Sequence, residues 1–64
     1  MAFFRKFKDT GEVEPVTGGR MTTILQEDEG VEKAFDLLLG MMNPPYETHE
    51  TAFASYYWEE PEGF

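Results

Sequence analysis

The sequence predicts a small α+β domain, with a small antiparallel sheet of about three strands and one central helix. Short aromatic and β-branched stretches bounded by turn-forming residues predict the strands. Apolar residues at helical spacing in the middle of the chain predict the helix. The chain has 64 residues and no Cys, so its own core is small and no disulfide supports it. We therefore expect a homodimer, in which a second copy adds buried surface.

The N-terminal half is predicted to contain two strands. Residues 2–8 are rich in Phe and end at a turn signal. Residues 9–19 include three Gly and one Pro and are predicted to be a loop, with a few extended residues at Val13 and Val16. Residues 20–26 are apolar and β-branched, which predicts the second strand.

The best-supported element is a helix from about Asp28 to Met42. Asp28 is the expected N-cap. Gly40 is the expected left-handed residue at the C-terminal end, and Asn43 is the outer limit because a proline follows it. The apolar residues at helical spacing are Val31, Ala34, Phe35, Leu38 and Met41 or Met42.

Residues 51–58 predict a third strand, in which Phe53, Ser55 and Tyr57 share one face and the alternate residues share the other. A short amphipathic helix is the alternative, because Ala is frequent in this stretch. We expect a single domain over residues 1–58, followed by a flexible acidic tail over residues 59–64.

The charge balance excludes two classes of binding partner. The chain carries five basic and 13 acidic residues, a net charge of −8. Binding to the phosphates of a nucleic acid or to an anionic membrane requires clustered basic residues, so neither is expected. No apolar run is long enough to span a membrane, and no secretion signal is evident. We expect a cytoplasmic protein.

The residues that could support catalysis are few. His49 is the only His and Ser55 the only Ser, and the two do not make a catalytic constellation on their own. His49 is expected to lie in a solvated loop. The acidic run ending at Gly30 lacks the alternating ligands of a calcium loop, and no phosphate-binding loop is present. We expect no enzyme activity, no metal and no cofactor.

A mixed acidic and apolar helix face is the most informative feature. Glu29, Glu32 and Asp36 are spaced i, i+3 and i+7, so on one helix they form a stripe of negative charge. Such a stripe is most often only a solvated surface. Leu39 shares this face, however, and one apolar stripe toward the core does not use all the Leu and Met residues of the helix. The leftover apolar surface, including Met42, favours an interface.

Two segments of the chain resemble a known family. Residues 22–30 read Thr-Thr-Ile-Leu-Gln-Glu-Asp-Glu-Gly, and residues 35–40 read Phe-Asp-Leu-Leu-Leu-Gly. The first is similar to a run in the small phage-encoded uracil-DNA glycosylase inhibitors, and the second resembles the helix segment of that family. Leu39 stands where the family has Tyr. The two segments cover about a quarter of the chain.

The resemblance implies a homodimeric DNA mimic that binds bacterial uracil-DNA glycosylase. Asp36 would replace a phosphate. Phe35 would help to line an apolar cavity that captures the side chain which the enzyme pushes into the DNA minor groove, and it would belong to the core as well. The expected partner-binding residues are Glu29, Glu32, Phe35, Asp36, Leu39 and Met42. Two alternatives remain, an acidic inhibitor of another DNA-binding enzyme and a structural or assembly subunit.

Overall fold

The computed structural model describes residues 2–59 and confirms the α+β class. It contains one antiparallel sheet of four strands, in the order β2-β1-β4-β3, and two helices. The structure therefore has one strand and one helix more than the predicted totals of about three strands and one helix. The elements are β1 (Ala2–Phe7), β2 (Val13–Val16), α1 (Gly18–Glu29), α2 (Val31–Met42), β3 (His49–Glu50) and β4 (Ala54–Glu59).

The N-terminal hairpin agrees with the predicted first strand. In β1, Phe3 pairs with Val16 of β2, so the extended residues expected within the loop form a strand of their own. The turn is closed by the Gly11 N–H, which donates to the Phe7 carbonyl at 2.8 Å. Gly11 has a φ of +75°, a conformation that glycine adopts without steric cost.

The prediction of a strand at residues 20–26 is wrong, because this segment lies within α1. Thr17 caps the helix by accepting a hydrogen bond from the Arg20 N–H at 3.2 Å. Thr22 and Thr23, which suggested a strand, donate their hydroxyl hydrogens to carbonyls four residues back, at 2.8 and 3.1 Å. The apolar side chains of Met21 and Leu25 lie one helical turn apart and are fully buried.

The predicted helix over residues 28–42 is correct from Val31 onward and wrong at its start. Asp28 is not an N-cap, because it lies in the last turn of α1. Gly30 separates the two helices with φ +91° and ψ +162°, a region that is essentially restricted to glycine. Its N–H donates to the Gln26 carbonyl, which ends α1, and its carbonyl accepts from the Ala34 N–H, which begins α2.

The C-terminal end of α2 agrees with the prediction that the helix extends no further than Asn43. Asn43 is the C-cap and has an extended conformation. The expectation for Gly40 is wrong, because this residue is inside the helix. Its missing side chain instead makes room for the following segment. A Cβ there would lie 2.8 Å from the Glu47 carboxylate, and the Glu47 N–H donates to the Gly40 carbonyl at 3.0 Å.

The third predicted strand is confirmed as β4, and the helical alternative is excluded. Ala54 and Tyr56 are buried on one face, as the alternation predicted, while Ser55 and Tyr57 lie on the other. Glu59, assigned to the tail, is the last residue of β4. The rest of the predicted tail, residues 60–64, lies outside the described residues.

The core lies between the helices and one face of the sheet. Phe3, Val16, Ala54 and Tyr56 from the sheet meet Met21, Leu25, Ala34 and Met41 from the helices. Burying each large side chain of this set contributes roughly 1.5–3 kcal/mol. No helix of the described residues packs on the other face of the sheet. At its centre the Phe4 and Tyr57 rings stack with their centroids 5.8 Å apart. Within residues 2–59, no helix has the length and apolar character needed to cross a membrane.

Candidate functional site

Helix α2 is apolar on two faces, and only one of them packs on the core. Ala34 and Met41 are buried in the core. A second set of apolar side chains points away from the core at spacings of four, four and three residues, so it forms one continuous line along the helix. We call this line the apolar ridge. Its members and their exposed fractions are Val31 70%, Phe35 65%, Leu39 46% and Met42 39%.

Two carboxylates run beside the apolar ridge. Glu32 and Asp36 are exposed and four residues apart, which places them roughly 6 Å apart along the helix axis. Leu39 is seven residues from Glu32 and three from Asp36, so the ridge and the carboxylates share the outer face of α2. Within the described part of the chain, neither carboxylate pairs with a Lys or Arg. We call these two residues the acidic edge.

The structure places every predicted partner-binding residue on the surface, but not on one helix. Five of them are on α2, whereas Glu29 is in α1, beyond the break at Gly30. The predicted stripe of three carboxylates on a single rod is therefore wrong. Glu29 and Asp36 still come near each other, because both line a cleft of about 390 Å³ together with Lys33 and Glu47.

The predicted role of Phe35 in the core is also wrong. Its side chain is mostly exposed and projects from the helix instead of lining an enclosed hollow. Phe35 and Leu39 are four residues apart, so the space between them is a notch on the ridge into which another side chain can pack. In one chain, the apolar surface therefore takes the form of a ridge with notches.

Ion pairs within the fold neutralise part of the small positive charge. Arg5 donates from its guanidinium to the Glu14 carboxylate, and this contact raises the pKa of Arg5. Lys8 lies 3.0 Å from the carboxylate of Glu50. These pairs occupy two of the five basic residues of the chain. The unpaired acidic edge therefore lies on a molecule with little free positive charge.

A second group of side chains was not predicted as a site. His49 is in β3 and its side chain is only 9% exposed, so the expectation of a solvated loop His is wrong. Its Nε2 atom lies 3.5 Å from a carboxylate oxygen of Asp28 and has no hydrogen-bond partner among the described residues. Asp28 and His49 are 21 positions apart in sequence, and only the packing of α1 beside β3 brings them together.

Glu50 completes this second group. It accepts hydrogen bonds from the Lys8 ammonium and from the Ser55 hydroxyl, the latter at 2.9 Å, and these contacts lower the pKa of Glu50. Around His49 the chain forms a cleft of about 340 Å³. Its walls are Asp28, Glu29, His49, Glu50, Thr51, Ala52, Phe53 and Tyr56.

The exposed side chains of this part of the chain offer surfaces suited to binding. Among residues 2–59, no group of three or more His, Asp and Glu side chains is placed to hold a metal ion. The exposed features are the apolar ridge, the acidic edge and the cleft around His49. Comparison of the chain with known protein families, with curated proteins and with solved structures found no match.

Proposed function

We propose that this protein is a homodimeric inhibitor of bacterial uracil-DNA glycosylase that acts by DNA mimicry in the host cytoplasm. The observation that carries the proposal is the outer face of α2, where the exposed apolar ridge runs beside the acidic edge. The resemblance of residues 35–40 to the family's helix segment supports the same face. A solvated surface helix has no need of four exposed apolar side chains in line.

The acidic edge matches the electrostatics of such an enzyme. A DNA-binding face attracts phosphates, so it also attracts Glu32 and Asp36 on a chain whose net charge is −8. Charge complementarity of this kind mainly speeds association and selects the partner. The inhibitor binds without being a substrate, because it offers no base to excise.

The apolar ridge matches the apolar side chain that such an enzyme inserts into DNA. Enzymes that extrude a base insert an apolar side chain into the DNA stack. The notch between Phe35 and Leu39 receives that side chain, and its burial slows dissociation. A protein that combines both features competes with DNA for the enzyme's phosphate-binding residues and for its inserted apolar side chain.

The helix-free face of the sheet is the surface we assign to the homodimer. The Phe4 and Tyr57 rings lie at its centre, with Lys6 toward one end of the strands and Glu59 toward the other. A two-fold axis that runs along the line from Phe4 to Tyr57 stacks these rings on their copies in the second subunit. It also brings each Lys6 near the partner's Glu59. The ridge on α2 then remains free in both subunits.

The test is inhibition of uracil excision from duplex DNA by a bacterial glycosylase, with the purified protein in stoichiometric excess. We expect inhibition by the wild type and reduced inhibition by Asp36→Lys. Glu27→Lys makes the same charge change on the exposed surface of α1 and is the matched control. Full activity of the enzyme in the presence of the wild type would refute this function.

A second candidate is an inhibitor of a different DNA-binding enzyme, such as a nuclease or polymerase. It is favoured by the direct passage from α1 through Gly30 into α2, since in the family a further strand and turn separate the two resembling segments. Assembly into a larger complex is the third candidate, favoured by the exposed Phe53, which lies far from the ridge in sequence. A panel of DNA-processing enzymes distinguishes the second candidate from the first.

A further inference from the structure

We propose that the cleft around His49 binds a guanidinium group, presented as an arginine side chain of the basic partner protein. The cleft lies between the end of α1, the strand β3 and residues 51–53. This inference rests on the proposed function in so far as the partner is basic. It assigns a second contact, separate from the ridge on α2.

The first argument is the excess negative charge of the cleft. Its walls carry three carboxylates, those of Asp28, Glu29 and Glu50. Lys8 pairs with Glu50 at 3.0 Å and the His49 ring lies 3.5 Å from Asp28, but no Lys or Arg among the described residues pairs with Asp28 or Glu29. The cleft therefore favours a cation that brings several hydrogen-bond donors.

The second argument is the state of His49. More than nine-tenths of its side chain is buried, and its Nε2 atom has no hydrogen-bond partner among residues 2–59. Buried ring nitrogens are normally hydrogen-bonded, so an unpartnered one in the wall of a cleft indicates a missing partner. Asp28, whose carboxylate is 3.5 Å from Nε2, is 42% exposed. A planar cation in the cleft can donate an N–H to Asp28 and lie beside the edge of the His49 ring.

The third argument is the aromatic side of the cleft. Phe53 is 81% exposed, the largest exposed fraction among the large apolar side chains of residues 2–59. Thr51 holds its backbone in place by accepting hydrogen bonds from the Phe53 and Ala54 N–H groups at 3.3 and 3.1 Å. A guanidinium plane stacks on such a ring, which a metal ion or a compact ammonium group does less well.

The size of the cleft sets how much it holds. A volume of about 340 Å³ is near the lower limit for small-ligand sites. It accommodates the end of one side chain, with the rest of the partner outside. Fork-shaped donors, carboxylate acceptors and a stacking ring together select arginine over lysine.

The experiment is a titration of the isolated protein with Nα-acetylarginine amide, followed by NMR. We expect the Nε2 resonance of His49 and the amides of residues 50–53 to shift. Nα-acetylcitrulline amide, which has a similar shape but no charge, is expected to produce no shift, and the corresponding lysine amide a smaller one.

Two variants locate the site. Asp28→Asn and Phe53→Ala are each expected to weaken binding of the arginine probe about tenfold, the first by losing a charge-assisted hydrogen bond and the second by losing a stacking contact. Glu27→Gln removes a neighbouring charge from the exposed surface of α1 outside the cleft and is the matched control. Equal shifts with citrulline, or equal weakening by Glu27→Gln, would overturn the proposal.

The outcome is separate from that of the enzyme assay. The probe titration uses the inhibitor protein alone, so a positive result stands even if no glycosylase is inhibited. Inhibition of a glycosylase by a protein that does not bind the arginine probe would leave the proposed function intact and refute the cleft as an arginine site.

Discussion

Ala34 and Phe35 are neighbours in the chain and point in directions about 100° apart around α2, with 1% of Ala34 and 65% of Phe35 exposed. The small residue is in the core and the large aromatic is mostly in solvent, which reverses the usual preference for burying the larger apolar group. This reversal is what makes the outer face of α2 a candidate interface. It also separates the residues that hold the fold from the residues that meet a partner.

Phe35→Ala is expected to leave the fold almost unchanged. Because the side chain packs little within the chain, its free energy of unfolding should change by less than about 0.5 kcal/mol. Leu25→Ala is the comparison, with an expected loss of roughly 2–5 kcal/mol from a fully buried position. Urea denaturation of both variants measures the difference. A loss of similar size in the two variants would show that Phe35 belongs to the core.

Asp36→Lys is expected to weaken target binding while the fold persists. The substitution places a positive charge on the acidic edge, where the proposed partner is also positive. The association rate should fall, and the effect of the mutation should shrink as the salt concentration rises. Surface plasmon resonance at two ionic strengths measures both. An unchanged association rate would show that Asp36 is not part of the interface.

Tyr57→Glu is expected to convert a dimer into a monomer. Tyr57 lies at the centre of the helix-free sheet face, and the two-fold axis would place the introduced carboxylate against its own copy. Sedimentation velocity at micromolar concentration should show a smaller species than the wild type. Phe35→Ala is the control on the other face and should remain a dimer. A monomeric wild type would refute this assignment of the sheet face.

Gly30, immediately before α2, and Gly40, inside α2, are expected to respond in opposite ways to substitution by Ala. At Gly30, φ +91° and ψ +162° are strained for any side chain, so Gly30→Ala should cost about 1–3 kcal/mol. At Gly40, a Cβ meets only the flexible end of Glu47, and Ala favours the helix by roughly 0.5–1 kcal/mol. Gly40→Ala should therefore be neutral or slightly stabilising. Thermal unfolding of both variants compares them.

Glu50 is expected to titrate below the ordinary range of a glutamate. The hydrogen bonds from Lys8 and Ser55 favour its charged form, so the pKa of Glu50 is lowered in the folded state. Its contribution to stability is therefore present above the ordinary pKa and is lost as the pH falls through the lowered value. Carboxyl ¹³C NMR measures the titration. In Lys8→Met the pKa should return toward its ordinary value, and an unchanged pKa would contradict the assigned cause.

Several parts of the fold could be predicted from local patterns. The strand at residues 2–7 and the strand at residues 54–59 are rich in aromatic residues, and both are present. Helix α2 has apolar residues at helical spacing on both of its faces, and it ends where a following proline forbids its continuation. The exposure of Asp36 could also be predicted, because on a helix it lies on the side away from the apolar positions Ala34 and Met41.

The first helix could not be predicted, because its signals are ambiguous when read along the chain. Thr22, Thr23 and Ile24 favour a strand, and what reverses this preference is the burial of Met21 and Leu25 in the core together with hydrogen bonds from the threonine hydroxyls to the backbone. The break at Gly30 sets the angle between α1 and α2. That angle is fixed by how the two helices pack in the core, so it cannot be read from the local sequence.

The sequence by itself determined the acidity, the α+β class and the doubly apolar character of α2, because composition and residue spacing are local. Only the tertiary structure decided which apolar face is buried, since Phe35 and Ala34 are equally possible core residues until the sheet is in place. It also created the cleft, by bringing Asp28 of one helix beside His49 of an edge strand. Contacts between residues far apart in the chain arise from packing, which no local pattern encodes.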